Sequence, residues 1–211
     1  MAYIGNFPTS PGFQAVKFDM NNTVKQTTTA SGRTIRSTTA TTLWSGTLQF
    51  PPMTLAEFLP IKGFLARCRG PLNEFDVTIP TVSQSSKGYS NDSTVGMTVT
   101  TNTGAGATSI PVQTLLNDTT ILNPGDVIRF NNHSKVYMVT DSEGVTTNGT
   151  GGATINFEPA LVTDVYALDS AGDYVQMAEV PFRMILTNEV QEMTYRTDGL
   201  IQYELDVIEV I

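Results

Sequence analysis

The chain has 211 residues, of which 40% are hydrophobic and only 15% are charged, and its formal net charge at pH 7 is -8. This length allows one or two domains with a buried core, and the negative charge argues against nucleic acid as the main partner. A single cysteine, Cys68, cannot form an internal disulfide, and we expect it to be a structural thiol. The sequence predicts neither a signal peptide nor a membrane span, and therefore folding in a cytoplasm.

The charge is distributed unevenly along the chain. Residues 1–87 carry 8 Lys and Arg against 4 Asp and Glu, whereas residues 88–211 carry 4 against 16. Such an asymmetry can steer copies of one chain into head-to-tail contact. Two merely solvated faces are the alternative explanation.

Short threonine-rich strands are predicted before residue 50. The alternation of apolar and polar residues from Phe13 to Met20 is typical of a half-buried strand. Asn21-Asn22 is a turn signal, which predicts residues 24–29 as the hairpin partner of that strand. Further strands are predicted over residues 34–37 and 41–50.

One helix is predicted over residues 54–69. Thr54 and Glu57 have the capping-box spacing, Gly70 stands at the expected C′ position, and Pro60 is expected to bend the helix or delay its regular part. The predicted apolar face consists of Leu55, Phe58, Leu59, Ile61, Phe64 and Leu65. The residues expected to form the core around the helix are Trp44, Phe58, Phe64 and Leu65.

A change of composition near residue 83 predicts a domain boundary. Residues 83–88 have the composition of a linker, and the five short strands that follow indicate a small barrel. After Pro159 strong strand patterns return. We therefore predict a mainly β fold in which a β-sandwich-like domain with one helix (residues 1–82 and 163–211) carries an inserted small β-barrel domain (residues 83–162).

The sequence predicts no catalytic, cofactor-binding or metal-binding constellation. His133, the sole histidine, stands in a turn, where we expect it to be solvated, and one Cys with one His cannot form a zinc set. The carboxylates are typical of solvated acidic faces. A hydrolase, the least favoured alternative, would need two of them about 5–10 Å apart in a cleft. We therefore expect no enzyme and no cofactor.

Three basic residues, Lys25, Arg33 and Arg36, lie in a stretch rich in Thr and Ser that is predicted to form a long hairpin. They are candidates for a basic loop that reaches a neighbouring subunit or a phosphate backbone. A solvated hairpin tip is the alternative.

Several residue runs, taken together, resemble one group of viral proteins. A strand with a Trp precedes the helix, and the helix ends in Arg69-Gly70; in the insert, a Pro-Gly-Asp turn enters a strand. Over most of its length the chain resembles the distal tail proteins, or related minor tail proteins, of long-tailed bacteriophages. The runs that carry the resemblance are Phe50–Thr54, Phe64–Gly70, Leu122–Phe130, Lys135–Val139, Phe157–Leu161 and Tyr203–Glu209.

The resemblance implies a structural virion protein without catalytic residues. In that family a β-sandwich-like domain with a helix builds a hexameric ring at the tail tip, which joins the tail tube to the baseplate hub, and an additional domain points outward. The implied partners are copies of the chain and the tube and hub proteins, and the implied location is the virion tail. Lys25, Arg33 and Arg36 would then lie at a subunit contact or line the lumen. A tube subunit or a head–tail joining protein is the alternative position.

A carbohydrate-binding β-module is a second interpretation, and it is compatible with a tail protein. Here Tyr89, Tyr137 and Tyr166 would offer stacking surfaces, and residues 83–162 would contact a host-surface glycan. Aromatic residues in strands are, however, more often core residues.

Overall fold

A computed structural model describes residues 1–22, 24–38, 42–91, 95–167, 174–189, 193–195 and 199–211. The first strands are β1 (Tyr3–Asn6), β2 (Ala15–Asn21), β3 (Val24–Thr28), β4 (Thr34–Thr38) and β5 (Leu43–Gln49). Helix α1 (Leu55–Cys68), a 3-10 turn (Gly70–Leu72) and β6 (Glu74–Thr78) follow. Next come β7 (Thr98–Val99), β8 (Ser109–Gln113), β9 (Thr120–Leu122), β10 (Val127–Phe130), β11 (Val136–Val139), β12 (Val145–Thr146), β13 (Gly152–Glu158) and β14 (Val175–Gln176). The last strands are β15 (Pro181–Leu186), β16 (Thr194–Tyr195), β17 (Ile201–Gln202) and β18 (Glu204–Glu209).

The fold is mainly β, with one α-helix in the described residues and a nearly closed barrel, as the sequence predicted; the sheet of the barrel has six strands where five were predicted. The chain divides into two compact units, the first of residues 1–77 and 183–210 and the second of residues 78–182. The predicted insert, residues 83–162, is shorter. Residues 163–167 and 174–182 belong to the second unit, and Val165, Val175 and Met177 lie in its hydrophobic core.

The first unit is built on one sheet in the order β1-β6-β15-β18-β5-β2. Its strands alternate between buried and partly exposed residues, as in β15 and β18, so one face is buried and the other meets solvent. On the buried face, aromatic side chains connect the sheet to the helix. Phe64 packs edge-on against Phe75, and the ring centroids of Phe58 and Tyr203 are 5.6 Å apart.

Helix α1 has the predicted start. The Thr54 side chain accepts a hydrogen bond from the backbone N–H of Glu57, and the Glu57 carboxylate accepts one from the backbone N–H of Thr54 at 2.8 Å. This contact is also why the pKa of Glu57 is lowered. At the other end the left-handed conformation begins at Arg69, with φ 53°, one residue before Gly70.

The helix differs from the prediction in two respects. It runs through Pro60 as one element of 14 residues. Pro60 and Ala56 are both exposed, so water can solvate the Ala56 carbonyl that loses its donor. The predicted apolar face is also too wide, because Leu55 is 54% exposed and Leu59 55% exposed.

The residues expected to form the core around the helix are all buried in the first unit. These are Trp44, Phe58, Phe64 and Leu65. Trp44 stacks on Phe18 of the neighbouring strand, with ring planes 7° apart. Gly46 lies opposite Phe18 in the register of β2 and β5, and the ring covers the position where a Cβ atom of Gly46 would be.

The second unit is a small barrel whose sheet runs in the order β14-β10-β11-β13-β8-β7. An isolated bridge between Thr98 and Tyr174 joins its two outer strands, and the Val175 N–H donates to the Met97 carbonyl at 3.1 Å. Because the outer strands meet, the barrel leaves little open sheet edge.

Residues 83–88, predicted to be a linker, are packed into the second unit. Ser83 and Ser85 are buried, and the Asp126 carboxylate accepts hydrogen bonds from the Ser86 backbone N–H at 3.1 Å and hydroxyl at 3.0 Å. Small hydroxyl side chains are typical of linkers, but here they form hydrogen bonds with buried polar groups. None of the helices described here has the length and apolar character needed to cross a membrane.

Candidate functional site

The candidate site begins with the hairpin of β3 and β4, residues 24–38, which we call the cationic hairpin. Its turn is closed by hydrogen bonds between Thr29 and Arg33, and Gly32 has a positive φ of 81°. Strand β3 therefore pairs with β4, in a register that sets Thr27 opposite Ile35. The predicted pairing of residues 24–29 with β2 is wrong.

Strand β2 pairs instead with β5, from Ala15 opposite Gln49 to Asn21 opposite Leu43. The cationic hairpin follows β2 and precedes β5 in the sequence, and the Thr42 hydroxyl donates to the Asn22 side chain at 2.6 Å beside the end of the pair. Strand β2 ends at Asn21, and the described turn lies at Gly32, because glycine adopts positive φ most readily.

The cationic hairpin is exposed on both faces. Among residues 24–37 only Thr29 is even partly buried, and the apolar side chains Val24 and Ile35 are 55% and 53% exposed. Side chains alternate across a ribbon, so Lys25 and Ile35 lie on one face and Val24 and Arg36 on the other. The three predicted basic residues thus occupy opposite faces and the tip, where Arg33 lies.

The charge of this hairpin is uniformly positive. Residues 24–38 contain Lys25, Arg33 and Arg36 and no Asp or Glu, and no described carboxylate forms an ion pair with any of the three. Arg183 in the same unit offers a contrast, because its guanidinium lies 2.6 Å from Asp76, 3.5 Å from Glu74 and over the ring of Tyr3. Burial alone would lower the pKa of Arg183, but Asp76, Tyr3 and Glu74 together raise it.

A groove of about 970 Å³ lies at the other end of the β2–β5 pair. It is lined mainly by polar side chains, and three of the described lining residues are acidic: Glu189, Glu204 and Asp206. We call it the polar groove; its lining is Gln14, Gln49, Phe50, Thr187, Asn188, Glu189, Thr194, Gln202, Tyr203, Glu204 and Asp206.

Hydrogen bonds hold two of the three groove carboxylates in place. Glu204 accepts from the Gln49 amide at 3.0 Å, and Asp206 accepts from the Thr47 hydroxyl at 2.6 Å and from the Asn188 amide at 3.2 Å. A carboxylate has about four acceptor positions, so both can accept further donors. No Lys or Arg is among the described residues that line the groove.

The second unit has a smaller pocket, of about 410 Å³, beside its outer strands. It is lined by Tyr174, which is 54% exposed, by the amide residues Asn131 and Gln176, and by buried apolar residues of the barrel. The tyrosines predicted as stacking surfaces differ in burial. Tyr137 is fully buried and cannot stack on a ligand, Tyr89 packs partly against the core, and Tyr166 is 54% exposed.

His133 is half-buried, so the expectation of a solvated turn histidine is wrong. The Tyr137 hydroxyl accepts from the Val162 N–H at 3.2 Å and lies 2.8 Å from His133 Nε2, while Nδ1 lies 2.7 Å from the Asn132 side-chain oxygen. These bonds are satisfied by a neutral ring that carries its proton on Nδ1. Burial, and then the positive charges of Arg129 and Lys135, lower the pKa of His133 to about 4.

Cys68 is buried, and burial raises its pKa to about 11, which fits the predicted structural thiol. In the described ranges no three His, Cys, Asp or Glu side chains are grouped so that they could hold a metal ion. The cationic hairpin and the polar groove carry opposite charge, and both belong to the first unit.

No model of a known protein family matches the sequence, and no curated protein matches it significantly.

Proposed function

We propose that this chain is a structural, non-enzymatic protein that assembles with copies of itself, as a ring at the tip of a bacteriophage tail. The proposal combines the resemblance in sequence to distal tail proteins with one structural observation: the cationic hairpin is exposed on both faces. In this proposal the ring is hexameric and joins the tail tube to the baseplate hub, and the protein is made in the host cytoplasm and becomes part of the virion.

The hairpin supports assembly for an energetic reason. An isolated two-stranded ribbon is marginally stable in water, because it has no layer against which to bury side chains. The ribbon of β3 and β4 buries almost none of its residues, and its Val24 and Ile35 side chains meet solvent. Packing against another chain would supply the missing layer, and it would use the uniform positive charge to select the partner.

The open edges of the first sheet support the same proposal. Strands β1 and β2 are the outermost strands in the described sheet, and an edge strand is where a strand of another chain can add to a sheet. A head-to-tail contact between unlike surfaces closes into a ring when the rotation between copies permits.

Light scattering coupled to size-exclusion chromatography tests assembly, and negative-stain images of the same fractions show its form. We expect a discrete oligomer with a central hole. A variant in which residues 24–38 are replaced by a short Gly/Ser turn is expected to be folded by circular dichroism and monomeric. A strictly monomeric wild-type chain at high concentration would refute self-assembly. Antibody labelling of virions that contain the protein distinguishes the tail tip from the tube and from the head–tail junction.

A host-surface glycan is a second candidate ligand, through the barrel. The observation that favours it is the pocket with exposed Tyr174 beside the amides of Asn131 and Gln176, because sugars stack on aromatic rings and bond to amides. A glycan array probed with wild-type protein and with Tyr174→Ala tests this. Equal binding by the two proteins, or no binding at all, would remove the candidate.

A further inference from the structure

We propose that the cationic hairpin of one copy lies in the polar groove of the next copy, so that each chain donates a hairpin and receives another. This inference rests on the proposed self-assembly and names the surfaces that would perform it. The partner is a second copy of this chain, chosen because both complementary surfaces belong to the same unit.

The two surfaces lie at opposite ends of one pair of strands. The cationic hairpin leaves the pair after Asn21 and returns before Leu43, whereas the polar groove includes Gln14, Gln49 and Phe50 at the other end. Seven residues of strand separate the ends, which is about 23 Å. The hairpin therefore leaves the strand pair at the end opposite the groove, which favours the groove of a second copy as its partner.

The charges of the two surfaces are complementary. The cationic hairpin carries three positive side chains without a negative one, and the polar groove has Glu189, Glu204 and Asp206 without a described cation. Glu204 and Asp206 are held in position by hydrogen bonds from the first unit, so they are arranged before a partner arrives. Arg–carboxylate pairs are strong and directional, which suits a contact that must repeat with one geometry.

The chemistry of the ribbon also fits the groove lining. The remaining hairpin side chains are mostly hydroxyls, such as Thr27 and Thr34, and the groove offers amide groups from Gln14 and Gln202 as partners. A polar contact of this kind is expected to weaken with salt because surface charges are screened.

The contact would be heterologous, since hairpin and groove are different surfaces. Every copy in a ring would then use both of them, and no copy would be left with an unoccupied hairpin. If the rotation between successive copies did not close a ring, the copies would form a filament with a free hairpin at one end and a free groove at the other.

Charge reversal in two separate proteins tests the inference. The hairpin variant carries Lys25→Glu and Arg36→Glu, and the groove variant carries Glu189→Lys and Glu204→Lys; all four side chains are exposed. By sedimentation velocity we expect each variant alone to associate at least about tenfold more weakly than wild type. We expect the mixture of the two, and a chain with all four changes, to associate again, because opposite charges are restored.

Matched controls carry the same change of net charge elsewhere. Lys62→Glu with Lys87→Glu matches the hairpin variant, and Glu143→Lys with Glu158→Lys matches the groove variant; these side chains are exposed and lie outside both surfaces. We expect the controls to associate like wild type. Controls that weaken association equally would show a general effect of net charge and would overturn the inference.

The outcomes separate this inference from the proposed function. A monomeric wild-type chain refutes both. An oligomeric wild type whose association survives both charge reversals keeps the proposed function and overturns the hairpin–groove contact. Loss of association in the hairpin variant alone, with the groove variant unaffected, would place the hairpin on another surface and would equally overturn it.

Discussion

The two units differ in whether the outer strands of their main sheets pair with each other. The barrel of the second unit brings its outer strands together through Thr98 and Tyr174, so nearly every strand has two neighbours. The sheet of the first unit stays open, with β1 and β2 as its outer strands, and the cationic hairpin of β3 and β4 is a separate two-stranded sheet. A closed barrel forms its backbone hydrogen bonds within one chain, whereas an open sheet edge and an unpacked hairpin can form them with another chain. The proposed self-association therefore rests on the first unit.

The largest expected effect comes from the barrel core. Phe157 is fully buried and packs on Tyr137 at 5.2 Å and Phe130 at 5.8 Å between ring centroids. Phe157→Ala is expected to lower the free energy of unfolding by about 3–5 kcal/mol in urea titrations, because it removes contacts and leaves a cavity. The matched change Ile35→Ala in the exposed hairpin should alter it by less than about 0.5 kcal/mol. Equal losses of unfolding free energy in the two variants would contradict the difference between the barrel core and the exposed hairpin.

A pH effect of about 2 kcal/mol is expected from His133, again in the barrel. Its pKa in the folded chain is about 4, below the ordinary 6.5. As pH falls below 6.5, His133 binds a proton in the unfolded chain but not in the folded chain, which favours unfolding. The stabilisation that the neutral ring contributes is therefore complete above about pH 6.5 and is lost toward pH 4. The gap in unfolding free energy between wild type and His133→Gln should therefore narrow by about 2 kcal/mol from pH 7 to pH 4.5. A constant gap would show that His133 has the same pKa in the folded and the unfolded chain.

Gly46→Ala probes the open sheet and is expected to destabilise by about 1–3 kcal/mol. A Cβ atom there would lie 2.5 Å from the Lys17 carbonyl oxygen and 2.6 Å from the Phe18 ring, so the edge strand β2 must shift. Thermal unfolding followed by Trp44 fluorescence measures the change, since Trp44 stacks on Phe18. An unchanged transition would mean that β2 is held more loosely than the register indicates.

The smallest effect is a gain, and it comes from the helix. Gly63 lies inside α1 with nothing within 4 Å of the position of a Cβ atom. Gly63→Ala is expected to raise the unfolding free energy by about 0.5–1 kcal/mol, because alanine loses less backbone entropy in a helix. The same Trp44 signal reports it. A loss of stability, or a loss of assembly at unchanged stability, would indicate that a neighbouring chain packs on this face.

Sequence reasoning predicted elements whose signals are local. The capping pair Thr54 and Glu57, followed by Gly70, marks the helix within one residue at each end. The short strands and turns of the insert predict a small barrel, and the basic hairpin is found where the Thr- and Ser-rich stretch indicated.

What the sequence did not predict depends on contacts between distant residues. His133 is half-buried because Tyr137 and Val162 close over it, and no pattern around Asn131-Asn132 signals that contact. The polar groove is assembled from stretches near residues 14, 49, 188 and 204, which come together only through the order of strands. Its three carboxylates look in the sequence like ordinary solvated charges.

The chain leaves the first unit after β6 and re-enters it with β15, and these strands are neighbours in one sheet. The segments that follow and precede them are tied by a hydrogen bond from the Val180 N–H to the Ser83 carbonyl at 3.0 Å. A coding segment for the barrel could therefore be gained, lost or exchanged by recombination while the sheet keeps its strand order. The sequences of barrel and sheet could then diverge independently within a single gene.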